Sequence, residues 1–305
     1  MKYIRRKTVP YLLALVGGVL LFSANMSYGA EAAPPLIPGV TTGVPLGALP
    51  PPGLYFSNTF YNATGHVFDE HGHKTPIKVH NYATIPAFLW SSPYRVFGAR
   101  YGAAIAQPIA SHGIDTRGVG GRKTRDFGAF NTILTPAILS WQVSDSFFVS
   151  TSQSFYLDNG DYHTKGGATD QTSYATGYWT YEPSVAVSYL HDGWDVTGNL
   201  VYDFNARNHH TDYKSGQTAY FDLTAARSFG PFTAGLLGSY ARQTTDDELN
   251  GDVVGDGNRV EHTMVGAMAG YQLGAYDFRL RYMQDVHTRA DLKIHITYLT
   301  ISTKL

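Results

Sequence analysis

From Gly53 onward the chain reads as short runs in which apolar and polar residues alternate. Over 194–204, Trp194, Val196, Gly198, Leu200, Tyr202 and Phe204 share one face, while Asp195, Thr197, Asn199 and Asp203 share the other. Over 179–189, Trp179, Tyr181, Val185, Val187 and Tyr189 oppose Thr180, Glu182, Ser184 and Ser188. Phe278, Leu280 and Tyr282 likewise oppose Asp277, Arg279 and Arg281. Period-2 alternation is the pattern of a strand with one apolar and one polar face. It predicts twelve strands, at 53–63, 77–90, 94–107, 127–142, 147–157, 178–190, 194–207, 219–229, 232–245, 259–272, 277–287 and 292–303.

The connections alternate in length. Short ones are expected at Ser91–Pro93, Val143–Ser146, His191–Gly193, Gly230–Pro231 and Leu273–Tyr276. Long polar ones are expected at 64–76, 108–126, 158–177, 208–218 and 246–258. Short turns at one end and long loops at the other are the plan of an outer-membrane barrel. A soluble β-sandwich has no reason to sort its loops in this way. The fold class expected is therefore all-β: a transmembrane antiparallel up-and-down β-barrel of about 12 strands, over 53–305. In hydrocarbon a sheet must close on itself to pair its backbone. Its apolar faces then point to lipid and its polar faces inward. That places Glu182, Asp195, Asp203, Asp222, Asp277, Arg279, Arg281 and Lys293 in the lumen as a charge network, with salt bridges across the interior expected. Arg227 falls in phase with Phe221 and Leu223, which suits a site at the membrane interface.

The N-terminal region has a different pattern. Lys2, Arg5, Arg6 and Lys7 precede an apolar run from Tyr11 to Phe22, and small residues follow at Ser27, Gly29 and Ala30. That order is a secretory signal peptide over 1–30, too short in its apolar run to span a bilayer as a helix. Residues 31–52 hold seven of the chain's 15 prolines. Proline cannot donate to a ladder, so this segment is extended. It is a candidate lumen plug, with Leu36, Ile37, Val40, Val44, Leu46 and Leu49 as its apolar surface. The other reading is a periplasmic lead-in.

Composition agrees with a membrane barrel. Aromatic residues reach 14% of the 305 residues and charged residues only 15%, against a usual ~25%. Without 1–30 the charges are 19 basic against 24 acidic, which excludes a nucleic-acid-binding face. Cysteine is absent, so no disulfide stabilises the exported chain.

Candidate chemistry is sparse. His66, Asp69, Glu70, His71 and His73 cluster in the first long loop, and His209, His210 and Asp212 in a later one. Neither group has metal-ligand spacing, so no metal and no cofactor are expected. The acidic loop Asp246, Asp247, Glu248, Asp252 and Asp256 lacks the order of an EF-hand, and bridging to lipopolysaccharide through divalent ions is its alternative use. Ser150, Ser152 and Ser154 line one face of a strand with no histidine partner in view, so no catalytic residue is assigned.

Several stretches resemble one family. They are Val44 to Tyr61, Trp90 to Gly102, Trp194 to Phe204, Thr211 to Gly216 and Gly257 to Arg259. The chain resembles the SphA-like, or "meta-pathway of phenol degradation", family of outer-membrane barrels. The resemblance implies a channel for passive uptake of small hydrophobic or aromatic compounds, and not an enzyme. A structural or surface-interaction barrel without transport is the alternative. The implied partners are outer-membrane lipid, lipopolysaccharide, small hydrophobic solutes and the barrel-assembly machinery. The implied location is the outer membrane of a Gram-negative bacterium.

Overall fold

The computed structural model describes residues 34–68, 74–165, 168–170 and 173–305. The signal peptide expected over 1–30 and residues Asp69, Glu70, His71 and His73 lie outside them. Twelve strands form the wall. They are β1 (Gly53–Phe68), β2 (Lys74–Val96), β3 (Ala99–Ala106, continued by Ile109–Asp115), β4 (Lys123–Ala129, continued by Ile133–Gln142), β5 (Phe147–Tyr156) and β6 (Thr180–His191). The second half comprises β7 (Trp194–Asn205), β8 (Thr218–Phe229), β9 (Phe232–Gln243), β10 (Glu261–Leu273), β11 (Tyr276–Arg289) and β12 (Lys293–Lys304). Each pairs antiparallel with its sequence neighbours. β1 also pairs with β12, from Tyr55↔Lys304 to His66↔Lys293, and this seam closes the barrel.

Short turns at one end require tight backbone. Phe97-Gly98 and Asp192-Gly193 both have positive φ at each residue, which matches the twist of a two-residue hairpin. The first of these corrects an expectation. The chain does not turn at Ser91–Pro93 but continues as β2 to Val96. A register shift between Ser91 and Arg95 absorbs Pro93, which cannot donate to the ladder. β3 and β4 are each interrupted, at Gln107–Pro108 and at 130–132. There the loop after β5 takes over, with Asp161 N–H donating to Ala129 O at 2.8 Å and Leu157 N–H to Thr132 O at 2.9 Å.

The outer surface is layered. At the short-turn end Tyr94, Phe97, Phe147, Trp194, Phe232 and Tyr276 are exposed. Towards the loop end Tyr82, Trp179, Phe204, Tyr240 and Tyr282 are exposed. Between them lie Val185, Val187, Leu200, Leu223, Leu236, Val265, Leu280 and Leu299. From Trp194 to Phe204 the strand advances about 33 Å, or about 25 Å along the barrel axis at a tilt of about 40°. That equals the height of an outer-membrane apolar band flanked by aromatic girdles. Arg227 sits at the lower girdle, its guanidinium 5.2 Å from the Trp194 ring and 5.3 Å from Phe229.

Candidate functional site

The lumen is filled from the short-turn end by the segment before β1. The segment is not extended as expected but folds into turns over 38–43 and 46–47. Val40 N–H donates to Ile37 O at 3.1 Å and Thr42 N–H to Gly39 O at 3.2 Å, because Gly39 and Gly43 take positive φ. Without a ladder of its own, it bonds other backbone groups to wall side chains. Low in the barrel, Lys304 Nζ donates to Pro52 O at 3.0 Å, Arg100 Nη1 to Pro50 O at 2.8 Å and Ser91 Oγ to Pro50 O at 2.7 Å. Higher, Gly47 N–H donates to Ser188 Oγ at 2.9 Å, and Ser140 Oγ returns a bond to Gly47 O at 2.7 Å. Ser150 Oγ donates to Leu46 O at 2.7 Å. At mid-height Thr41 Oγ1 donates to Asp222 Oδ2 at 2.5 Å and Gly43 N–H to Thr224 Oγ1 at 2.7 Å. Arg281 Nη1 donates to Val40 O at 2.9 Å and also to Thr42 O, and Arg279 Nη1 donates to Gly43 O. Gly47 is so close to the wall that a Cβ there would lie 2.6 Å from Ser188 N.

The two sides of the lumen differ in chemistry. Leu237, Met264, Met268, Met283, Ile296 and Tyr298 form an inward apolar cluster, against which Ile37 and Val40 pack. Leu36 is buried with Val201, Tyr220 and Ala241. Leu46 and Leu49 are half-buried, and Val44 is exposed. The opposite wall carries Ser150, Glu182, Ser188, Asn199, Asp203 and Asp222, all buried. Polar faces inward and apolar faces outward therefore hold for β6 to β8 but not for β10 and β12, whose inner faces carry Met264, Met268, Ile296 and Tyr298, while β11 turns Met283 inward beside Arg281 and Asp285.

The charges do not form the cross-lumen network expected. Among the described residues, the ion pair joining two of the candidates is Asp277–Arg279 at 2.6 Å, two positions apart on β11. Glu182 and Asp203 follow the pair Tyr181↔Phe204 and face each other as two carboxyls across β6 and β7. Asp195 is half-buried and accepts from Thr197 Oγ1 at 2.6 Å. Asp222 and the two arginines bind the N-terminal segment instead. Lys293 is a correction. It is exposed and in phase with His295 and Leu299, on the outside of β12 near the loop end, whereas Ile294, Ile296 and Tyr298 face in. The alternation of β12 reads with its apolar residues inward because they line a cavity.

That cavity lies above the segment, at the loop end of the lumen, and holds about 190 Å³. Ile37 and Pro38 form its floor, and Val79, Ile114, Ile294 and Ile296 line its walls. A second cavity of about 90 Å³ adjoins it, lined by Leu36, Ile85, Ile133 and Tyr156 among others. Polar side chains also reach the lining, among them Asn81, His112, Asp170, Gln243, His262 and Asp291, and several of them are held by neighbours. His112 bonds Asn81 Oδ1, and its backbone N–H donates to the Tyr174 hydroxyl oxygen at 3.0 Å. His262 lies between Asp285 and Asp291, 3.1 Å from each. Apart from Leu36 and Ile37 of the N-terminal segment, these lining residues escaped the sequence reading. The signal for them was the phase of Ile294, Ile296 and Tyr298 against Lys293 and His295.

The loop candidates have protein partners. His210 stacks on Tyr162 at 5.0 Å, and His209 lies 3.6 Å from Asp158. Asp212 lies 3.6 Å from Arg207, and Asp246 pairs with Arg259 at 2.6 Å. The Arg259 bond holds the Asp246 carboxyl below the usual range. Asp247 accepts from Tyr213 OH at 2.6 Å, Gly216 N–H at 2.7 Å and Gln243 Nε2 at 2.8 Å. Among the described residues, no group of three or more His, Asp or Glu is arranged to hold a metal ion. Ser150, Ser152 and Ser154 bond Leu46 O, Ser184 and Thr135 respectively.

The family described as "Putative MetA-pathway of phenol degradation" matches residues 58–292. The chain belongs to that family. Among solved structures it is similar to an outer membrane channel from Pseudomonas putida F1, at 13% identity and a TM-score of 0.74, covering 85% of this chain and 97% of that one. It is also similar to the β domain of the Bordetella autotransporter BrkA, at 10% identity and a TM-score of 0.52, covering 83% and 100%. No curated protein matches the chain in sequence. The fold is that of a Gram-negative outer-membrane β-barrel, whose outer face contacts lipid.

Proposed function

We propose that this protein is a channel for passive uptake of small hydrophobic or aromatic compounds across the outer membrane. The observation that carries the reading is the apolar cavity at the loop end, floored by the N-terminal segment. An engineered apolar cavity of about 150 Å³ accepts benzene, so 190 Å³ suits a compound with a single aromatic ring. The Pseudomonas putida F1 structure is itself described as an outer membrane channel, which supports the same reading. Residues 1–30 serve as a cleaved export signal, and the barrel-assembly machinery inserts the mature chain. Residues 34–52 act as a plug. Glu182 and Asp203 give the polar side of the path an acidic character. A solute would enter the cavity, displace or pass the segment, and leave at the short-turn end, driven by its own gradient.

Solute flux into proteoliposomes tests this. Folded protein should raise the entry of phenol or toluene above that of empty vesicles. Deletion of residues 34–50 should raise the entry of small polar solutes as well. A folded barrel giving no aromatic flux above empty vesicles overturns the channel, and a deletion that changes nothing overturns the plug.

A further inference from the structure

The outer face of the wall carries one feature that transport does not use. Lys293 on β12, His66 on β1 and Lys78 on β2 are consecutive register partners, and Lys78 is followed by Asp115 on β3 and Lys123 on β4. The next outward row holds His295, Thr64, His80, Gly113 and Arg125. Lys78, Lys123, Arg125 and Lys293 are exposed. Asp115, the acid within the rows, is engaged by Arg117 at 2.7 Å, so that pair adds no net negative charge. Asp126 falls on the other face of β4 by alternation.

The position of the rows is as informative as their charge. They lie one step beyond Tyr82 and Phe127, and Arg125 sits 5.2 Å from the centre of the Tyr82 ring. Below those aromatics come Phe60, Phe88, Ile105 and Leu299. Charge, ring and aliphatic layers thus follow one another down the same sector of wall. Five neighbouring strands about 4.8 Å apart give the rows a width of about 19 Å. The far side of the barrel has no such rows. At that height it presents Trp179, Phe204 and Tyr240, with a single short row in which Arg242 and Arg289 flank Glu261 in register.

We propose that this sector, centred on Lys78, Lys123 and Lys293, is a binding site for the phosphorylated headgroup of lipid A in the outer leaflet. Its charge suits phosphate, its level is that of the headgroup, and the apolar wall beneath it suits acyl chains. The site stands apart from the lumen, so its failure would leave the transport reading untouched.

The test uses delipidated protein in detergent and native mass spectrometry with two probes. One is diphosphoryl lipid A and the other is the same lipid with both phosphates removed. The wild type should prefer the phosphorylated lipid by about tenfold or more, since several cations face the phosphates. The triple variant Lys78→Gln, Lys123→Gln, Lys293→Gln should lose that preference, while Arg242→Gln keeps it. Heat-shifted gel mobility confirms that each variant is folded. Equal binding of the two lipids by wild type overturns the site, as does a preference that survives in the triple variant.

Discussion

At the scale of single residues, Arg281 shows how the lumen is organised. Its guanidinium is buried, 4.6 Å from the Tyr298 ring, and its Nη1 donates to the carbonyls of Val40 and Thr42. A planar cation with five donors can serve several acceptors at once. The acceptors it needs are supplied by a Pro-rich chain whose carbonyls have no strand partner. The inward direction of Arg279 and Arg281 was legible from their alternation with Leu280 and Tyr282. Their partners were not, because nothing in a linear pattern says that a segment some 240 residues away returns to the same level. Lys293 was misread for a related reason, since a charged residue and an isoleucine can each face either way until the content of the lumen is known. Hydrogen bonds to charged groups contribute about 1.5–3 kcal/mol each. Arg281→Gln should therefore release the segment more often, by about tenfold for each 1.4 kcal/mol lost. Single-channel recording should show more frequent open events, and a folded variant with an unchanged record would show that Arg281 does not restrain the segment.

At the scale of elements, the alternation placed the twelve strands to within a few residues, except where proline intervenes. Pro93 suggested a turn that the structure places at Phe97-Gly98. Pro108 interrupts β3 inside a span that had read as loop. Hairpins that rise beyond the membrane are polar on both faces, so sequence alternation loses its contrast there. The loop pair above β7 to β10 illustrates what holds such regions. Asp247 joins the two loops through Tyr213, Gly216 and Gln243, yet burial pushes its carboxyl up to about 6. The unfolded carboxyl titrates near 3.9. The folded loops thus hold the proton more tightly than the unfolded chain. Stability contributed by this group is full at low pH, is lost as pH rises from about 4 to about 6, and is level above that. Amide protection factors around Gly216 should fall over that interval in the wild type. In Asp247→Asn they should vary little, and an equal fall in both proteins would place the pH dependence elsewhere.

At the scale of the whole molecule, closure and orientation decide everything else. The β1–β12 seam leaves no free edge, and a sheet without edges can expose its apolar face to lipid. The same alternation in a soluble barrel would turn those residues inward. Two leucines at neighbouring positions separate the cases. Leu236 is 71% exposed, midway along β9, while Leu237 is 5% exposed and packs in the lumen cluster. Arginine on the lipid face at the bilayer midplane costs about 2–4 kcal/mol, and about 0–1 near the interfaces, where Arg227 already sits. Leu236→Arg should therefore destabilise the protein by about 2–4 kcal/mol in lipid vesicles, measured by reversible denaturant unfolding. Moved to the lower girdle, as Phe229→Arg, the same charge should cost about 1 kcal/mol or less beyond the ring it removes. The difference between the two positions is the signature of a hydrocarbon solvent, because in water an exposed leucine replaced by arginine changes stability little. If Leu236→Arg were as mild as an exposed substitution in a soluble protein, the outer face would be facing water, and the membrane placement would have to be abandoned together with the channel built on it.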